Sequence, residues 1–141
     1  MEDILNSKFE SLVLGGKAEW RKSDRSKHFG KYVDSLPWNV NRIDFEKIGR
    51  KFESVDLYTE DDAKTKAFLE GSVLSSYQNI AFMYDDNSPM LVTTFKNILI
   101  DLKEYLTYQG DALAFGYDDL ENCDFADFLC IYDWKATTFL K

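Results

Sequence analysis

Between Glu104 and Trp134 the chain has no lysine, arginine or histidine, yet it carries eight carboxylates and eight aromatic rings. The acids are Glu104, Asp111, Asp118, Asp119, Glu121, Asp124, Asp127 and Asp133. The rings are Tyr105, Tyr108, Phe115, Tyr117, Phe125, Phe128, Tyr132 and Trp134. So many unpaired carboxylates must stay near water, which prevents the whole stretch from being core. Disordered segments are poor in aromatics, which argues against disorder. What remains is a folded region with a strongly negative surface and aromatic side chains inside or beside it.

The rest of the charge is split along the chain. Residues 1–51 hold eleven Lys and Arg against eight Asp and Glu, whereas residues 52–141 hold six against seventeen, for a net charge of −8. A field of that sign repels nucleic acid and anionic membrane and speeds encounter with cationic proteins. Acidity also keeps a small protein soluble, so net charge alone does not define a partner.

A chain of 141 residues reads as a single compact domain. It is long enough to bury about two-thirds of its unfolded surface, so it needs neither disulfides nor metal to fold. No apolar run approaches the roughly eighteen residues of a membrane span. The opening MEDILNSKFESLVLGG is acidic and amphipathic, unlike a secretory signal. Cys123 and Cys130 are the only cysteines, and in such a chain they read as free, reduced thiols in a cytoplasm.

Periodicity gives the expected elements. Ile4, Leu5, Phe9, Leu12 and Val13 fall at helical spacing, and Gly15-Gly16 closes that helix. Residues 17–31 form the one basic segment, with six Lys or Arg against two acids. It reads as a mobile loop, tacked to the core by Trp20 and Phe29. A turn at residues 35–38 precedes a short helix over 42–52. Thr59 followed by Glu60, Asp61 and Asp62 is a helix start, and that helix runs to about Tyr77. Residues 79–84 read as a strand and close in a turn at 85–87. Ser88-Pro89 opens the longest expected helix. Its stripe is Leu91, Val92, Phe95, Ile98, Leu99, Leu102, Tyr105 and Leu106, and it ends at Gly110. Residues 112–117 and 128–134 are strands on either side of an acidic loop at 118–124. The sum is an α+β fold, about four helices packed on a small sheet. A mostly helical bundle competes, because residues 125–134 also fit a short helix.

The chemistry that is missing narrows the function. His28 is the only histidine, has no Cys, Asp or Glu at metal-ligand spacing, and reads as a solvated surface side chain. No G-x-S-x-G, phosphate-binding glycine loop or H-E-x-x-H occurs. Cys123 and Cys130 are too far apart for a zinc knuckle or a C-x-x-C pair and read as small core residues. The acids from Asp118 to Asp127 lack the central glycine of a calcium loop. No catalytic residue, metal site or cofactor is therefore expected. Residues 17–31 mix cations with Trp20, Phe29 and, just beyond, Tyr32, the ingredients of single-strand nucleic-acid binding. In a chain of net charge −8 those cations are better placed against the protein's own acidic half.

The expected partner surface is therefore acidic: Asp118, Asp119, Glu121, Asp124 and Asp127, with Tyr117, Phe125 and Trp134 as aromatic anchors. In whole-chain composition and in DDLENCDFADFLCIYDW, residues 118–134, the protein resembles, at the level of class, the immunity proteins that bacteria make against polymorphic and contact-dependent toxins. The resemblance implies a cytoplasmic protein that binds a basic toxin one-to-one. The toxin would be a nuclease, its active-site region covered by the acidic surface, with no membrane or nucleic-acid partner. Two other readings fit the same residues: an acidic adaptor or regulatory protein-binding domain, and a small carboxylate-dependent hydrolase, which would need two acids across a substrate cleft.

Overall fold

The computed structural model describes residues 9–85, 87–107 and 111–141. Its centre is a seven-stranded sheet in which every neighbouring pair of strands is antiparallel. In chain order the strands are β1 (Ala18–Arg21), β2 (Trp38–Asn39), β3 (Arg42–Ile43), β4 (Phe52–Asp56), β5 (Asn79–Met83), β6 (Met90–Thr94), β7 (Ala112–Tyr117), β8 (Phe128–Tyr132) and β9 (Lys135–Phe139). The large sheet has the order β1-β6-β5-β7-β8-β9-β4, and β2 and β3 form a separate hairpin. The helices are α1, described over residues 9–14, α2 (Arg25–Asp34), α3 (Phe45–Ile48), α4 (Asp62–Glu70), α5 (Phe95–Ile100) and α6 (Leu102–Thr107).

Side chains alternate across the strands, and both faces of the sheet are buried. On one face Ile80, Phe82, Leu91, Ala114, Leu129 and Ile131 pack under α1, α4, α5 and α6, which contribute Phe9, Phe68, Ile98 and Tyr105. On the other, Ala81, Met90, Val92, Phe115, Phe128 and Phe139 meet Phe29 and Val33 of α2 and Phe45 of α3. Leu120 and Phe125, from the segment joining β7 to β8, complete that face.

The α+β class is as expected, but its proportions are not. Seven strands, not a small sheet, dominate, and six helices are described instead of four. The helical-bundle alternative falls with them. The largest correction is at residues 88–110. Met90–Thr94 is strand β6, paired with both β1 and β5. A strand buried on both faces reads as a continuous apolar run, so Leu91 and Val92 fell into a helical stripe by coincidence. The helix begins only at α5, where the Thr94 hydroxyl accepts the Asn97 N–H at 3.1 Å. It breaks at Asp101 and resumes as α6. The end expected at Gly110 lies outside the described residues, as does the start of the helix expected from residue 3.

Other elements shift for local reasons. The expected helix 42–52 is reduced to the four residues of α3, closed by Gly49 at φ 84° and followed by β4. The cap of α4 is Asp61, whose carboxylate accepts the Lys64 N–H at 2.8 Å, not Thr59. That helix ends at Glu70, and a short 3-10 turn, Val73–Ser76, follows. The basic segment, expected as a loop, contains β1 and the start of α2. Strands β5 and β7 are where the sequence placed them. β8 stops at Tyr132, two residues early, and β9 follows.

Candidate functional site

The acidic loop leaves β7 at Tyr117 and returns to β8 at Phe128. It is fastened from beneath at three points. At its return Asp127 accepts hydrogen bonds from Arg50 (Nη2 to Oδ1, 2.7 Å) and from the Tyr77 hydroxyl (to Oδ2, 2.7 Å). Arg50 also donates to the Ala126 carbonyl at 2.8 Å while its guanidinium lies 4.1 Å from the Phe139 ring. In the middle, Arg25 donates to the Cys123 carbonyl at 2.6 Å and sits 4.6 Å from the Phe125 ring. At the start, Gly116 lies flat under Tyr77: a Cβ there would come within 2.3 Å of the Tyr77 ring. Glycine is therefore required by this close approach.

Within that frame the loop folds on its own side chains. Asp119 accepts the Glu121 N–H at 3.1 Å and the Asn122 side-chain amide at 2.5 Å, shaping the 3-10 turn Leu120–Asn122. Asp124 accepts the Ala126 N–H at 3.1 Å. Phe125 takes a left-handed backbone (φ 66°) that turns its ring inward. There it packs on Phe115 at 4.9 Å and Phe29 at 5.3 Å.

The sequence-expected surface is thus split. Asp118, Asp119, Glu121 and Asp124 are exposed, and among the described residues none of them forms an ion pair. Asp127 is half-buried and salt-bridged to Arg50, so it holds the loop in place. Tyr117 and Phe125, each 6% exposed, belong to the core and are not anchors. Their burial follows from the second sheet face, whose core cluster they help to fill. Trp134 is exposed but sits beyond the far end of β8 from this loop. The structure therefore keeps four of the eight residues together as a free surface.

Asp118, Asp119 and Glu121 share an open cleft of about 770 Å³ with Lys17, Arg21 and Lys22 from the start of the basic segment. Arg21 is paired with Glu19 at 2.6 Å and Lys17 with Asp101 at 3.1 Å. Lys17 and Arg25 therefore contact the acidic half of the chain, whereas Arg21 pairs within its own segment.

Beside the loop, Tyr77 and Cys123 are biased toward their neutral forms. The Tyr77 hydroxyl is raised well above its usual range, first by its hydrogen bond to Asp127 and then by burial. Burial raises the Cys123 thiol, an effect that Arg25 opposes. Cys130 lies on the floor of a second groove, about 640 Å³, beneath the β2–β3 hairpin. Burial, with Asp111 adding to it, pushes that thiol up to about 11. It is protonated at neutral pH and is a poor nucleophile there. His28 is exposed, with Nδ1 2.7 Å from the Asp24 carbonyl. Among the described residues no group of three or more His, Cys, Asp or Glu is placed to hold a metal ion, and no helix is long and apolar enough to cross a membrane.

In class, then, the protein is an α+β structure whose antiparallel sheet carries an acidic loop rigidly tied at its base. No family model matches the chain, and no curated protein matches it.

Proposed function

We propose that this chain is a stoichiometric protein-binding inhibitor of the immunity type. It would dock its acidic loop on the positively charged active-site region of a basic toxin, a nuclease. One observation carries the reading. The cations beside the loop hold its backbone and Asp127 and leave Asp118, Asp119, Glu121 and Asp124 without ion pairs among the described residues. A chain using these acids only for its own stability would pair them with those nearby guanidinium groups. Instead they stand pre-arranged on a fixed scaffold, which lowers the ordering cost of binding. An enzyme that grips a phosphate backbone must present a positive cleft, so a carboxylate surface competes directly with its substrate. Complementary charge of this kind acts chiefly through the association rate.

The test is capture on the tagged full-length chain from its source lysate, in low and high salt. It is repeated with Asp118→Lys, Asp119→Lys and Glu121→Lys combined. The reading expects one basic protein at equal stoichiometry, lost or greatly slowed in binding with the reversed variant. Undiminished capture by that variant would remove the loop from the interface. Capture of a basic protein whose activity is unaffected would favour the adaptor reading. For the hydrolase reading, turnover abolished by Asp118→Asn or Asp119→Asn in a substrate screen is the corresponding test.

A further inference from the structure

A second exposed feature lies at the other end of β8 and joins the acidic character of the chain to its surface rings. Tyr132 and Lys135 face each other in register, so Asp133-Trp134 is a two-residue turn between β8 and β9. Both turn residues are left-handed, at φ 52° and 63°. Two-residue hairpin turns with two positive φ angles are normally Asn-Gly or Asp-Gly, because a side chain at the second position is strained. Here that position holds tryptophan, 50% exposed. The ring of Tyr58, 80% exposed, stands edge-on to it, with centroids 6.3 Å apart and planes at 70°.

The pair is held from both sides. The Trp134 carbonyl accepts the Leu57 N–H at 2.8 Å, and Asp111 accepts the Asp133 N–H at 3.1 Å. Beneath Tyr58, the Asp56 carboxylate accepts the N–H groups of Tyr58 and Thr59 at 2.9 and 3.1 Å. Those bonds hold its pKa below the ordinary value, so it remains charged. Asp56, Asp111 and Asp133 are all exposed. Two cations are close by: Lys135, opposite Asp56 in the strand register, and Lys103, which donates to the Leu57 carbonyl at 3.1 Å and lies 3.7 Å from Asp62.

We infer that Tyr58 and Trp134 form a notch that takes an arginine side chain from a basic protein partner. Two ring faces at a steep angle attract a cation, and carboxylates at the margin supply hydrogen-bond acceptors. Arginine fits better than lysine, because a planar guanidinium can stack on tryptophan while its edge engages a carboxylate. An uncharged apolar occupant is disfavoured by the three surrounding acids, which it would leave partly desolvated. The inference rests on the inhibitor reading only for the partner being basic, and it adds an anchor remote from the acidic loop.

The test uses the full chain labelled with 15N and two probes: acetyl-Gly-Arg-Gly-amide and the same peptide with citrulline in place of arginine. Citrulline keeps the planar shape but removes the charge and replaces one terminal NH2 donor with a carbonyl acceptor. Titration with the arginine peptide is expected to move the Trp134 indole N–H and the Tyr58 amide several-fold further than the citrulline peptide does. Tyr58→Ala, outside the strained turn, should reduce the Trp134 shift, whereas reversal of Asp118, Asp119 and Glu121 should leave it unchanged. Equal shifts with both peptides would overturn the inference, as would larger shifts along residues 118–124 than at Trp134. Either failure would leave the acidic-loop proposal standing, because that proposal is judged on capture of a whole protein.

Discussion

Replacing Gly116 with alanine tests the scaffold that positions the acidic loop. The new methyl carbon would stand 2.3 Å from Tyr77 Cδ2 and 2.5 Å from its Cγ, far inside van der Waals contact. The ring cannot swing away freely, because its hydroxyl is bonded to Asp127 at 2.7 Å. Forcing extra volume into a packed site costs about 1–3 kcal/mol. If the ring moves far enough to lose a hydrogen bond to a charged acceptor, about 1.5–3 kcal/mol more is at stake. These two costs are alternatives as much as additions, since the structure will take the cheaper mixture, so the expected loss is about 2–4 kcal/mol. Urea unfolding at neutral pH measures it. The discriminating step is a double-mutant cycle with Tyr77→Ala. With the ring absent only the residue-77 Cβ remains close, at 3.0 Å, so Gly116→Ala should cost much less there and the coupling should account for most of its cost. A loss below about 0.5 kcal/mol, within the usual range for harmless surface changes, would refute the reasoning. So would an equal loss in both backgrounds.

Other outcomes follow from the same structure. The Cys130 thiol is pushed up to about 11 from an ordinary value of 9.0, so the folded state favours its protonated form. Its stabilising contribution is complete below about pH 9 and is lost as pH rises toward 11, amounting to about 3 kcal/mol. Cys130→Ala should therefore flatten the fall in stability between those pH values, and an unchanged pH profile would contradict the assignment. Val40, 94% exposed at φ 60°, places a β-branched side chain in left-handed backbone. Val40→Gly should relieve roughly 1–2 kcal/mol of strain against roughly 0.5–1 kcal/mol of added chain entropy. The net result is a small rise in melting temperature, and a fall would show that the strain is absent.

The parts of the fold visible in the sequence were those in which a single local signal agreed with the tertiary environment. β5 and β7 are short apolar runs, each followed by polar residues that end it, so they were placed nearly to the residue. β6 was not, because it runs straight into α5 at Phe95 with no break in the apolar pattern, so Leu91 and Val92 merge with the helical stripe. β9 was missed because Lys135–Phe139 offers only Ala136 and Phe139 as apolar residues. Its signal was the spacing: two short β-prone runs separated by the dipeptide Asp133-Trp134, a hairpin signature disguised by tryptophan in glycine's place. The candidate site was half legible. Charge alone located Asp118, Asp119, Glu121 and Asp124, and they are exposed as expected. The rings were misjudged because a second sheet face needed covering, and Tyr117 and Phe125 do that work. Asp127 was taken as a free acid because its partners, Arg50 and Tyr77, lie 77 and 50 residues away in the chain. Nothing in the sequence marks such distant pairs.

The central claim is that the acidic loop neutralises a basic enzyme one-to-one, and activity titration tests it most directly. The protein recovered by capture would be held at fixed concentration, and its nuclease activity measured as the wild-type chain and the Asp118→Lys, Asp119→Lys, Glu121→Lys variant are added. The account expects activity to fall linearly to zero at one equivalent of wild type, with the variant far weaker and increasingly so as salt is raised. Full activity in the presence of excess wild-type chain would contradict it.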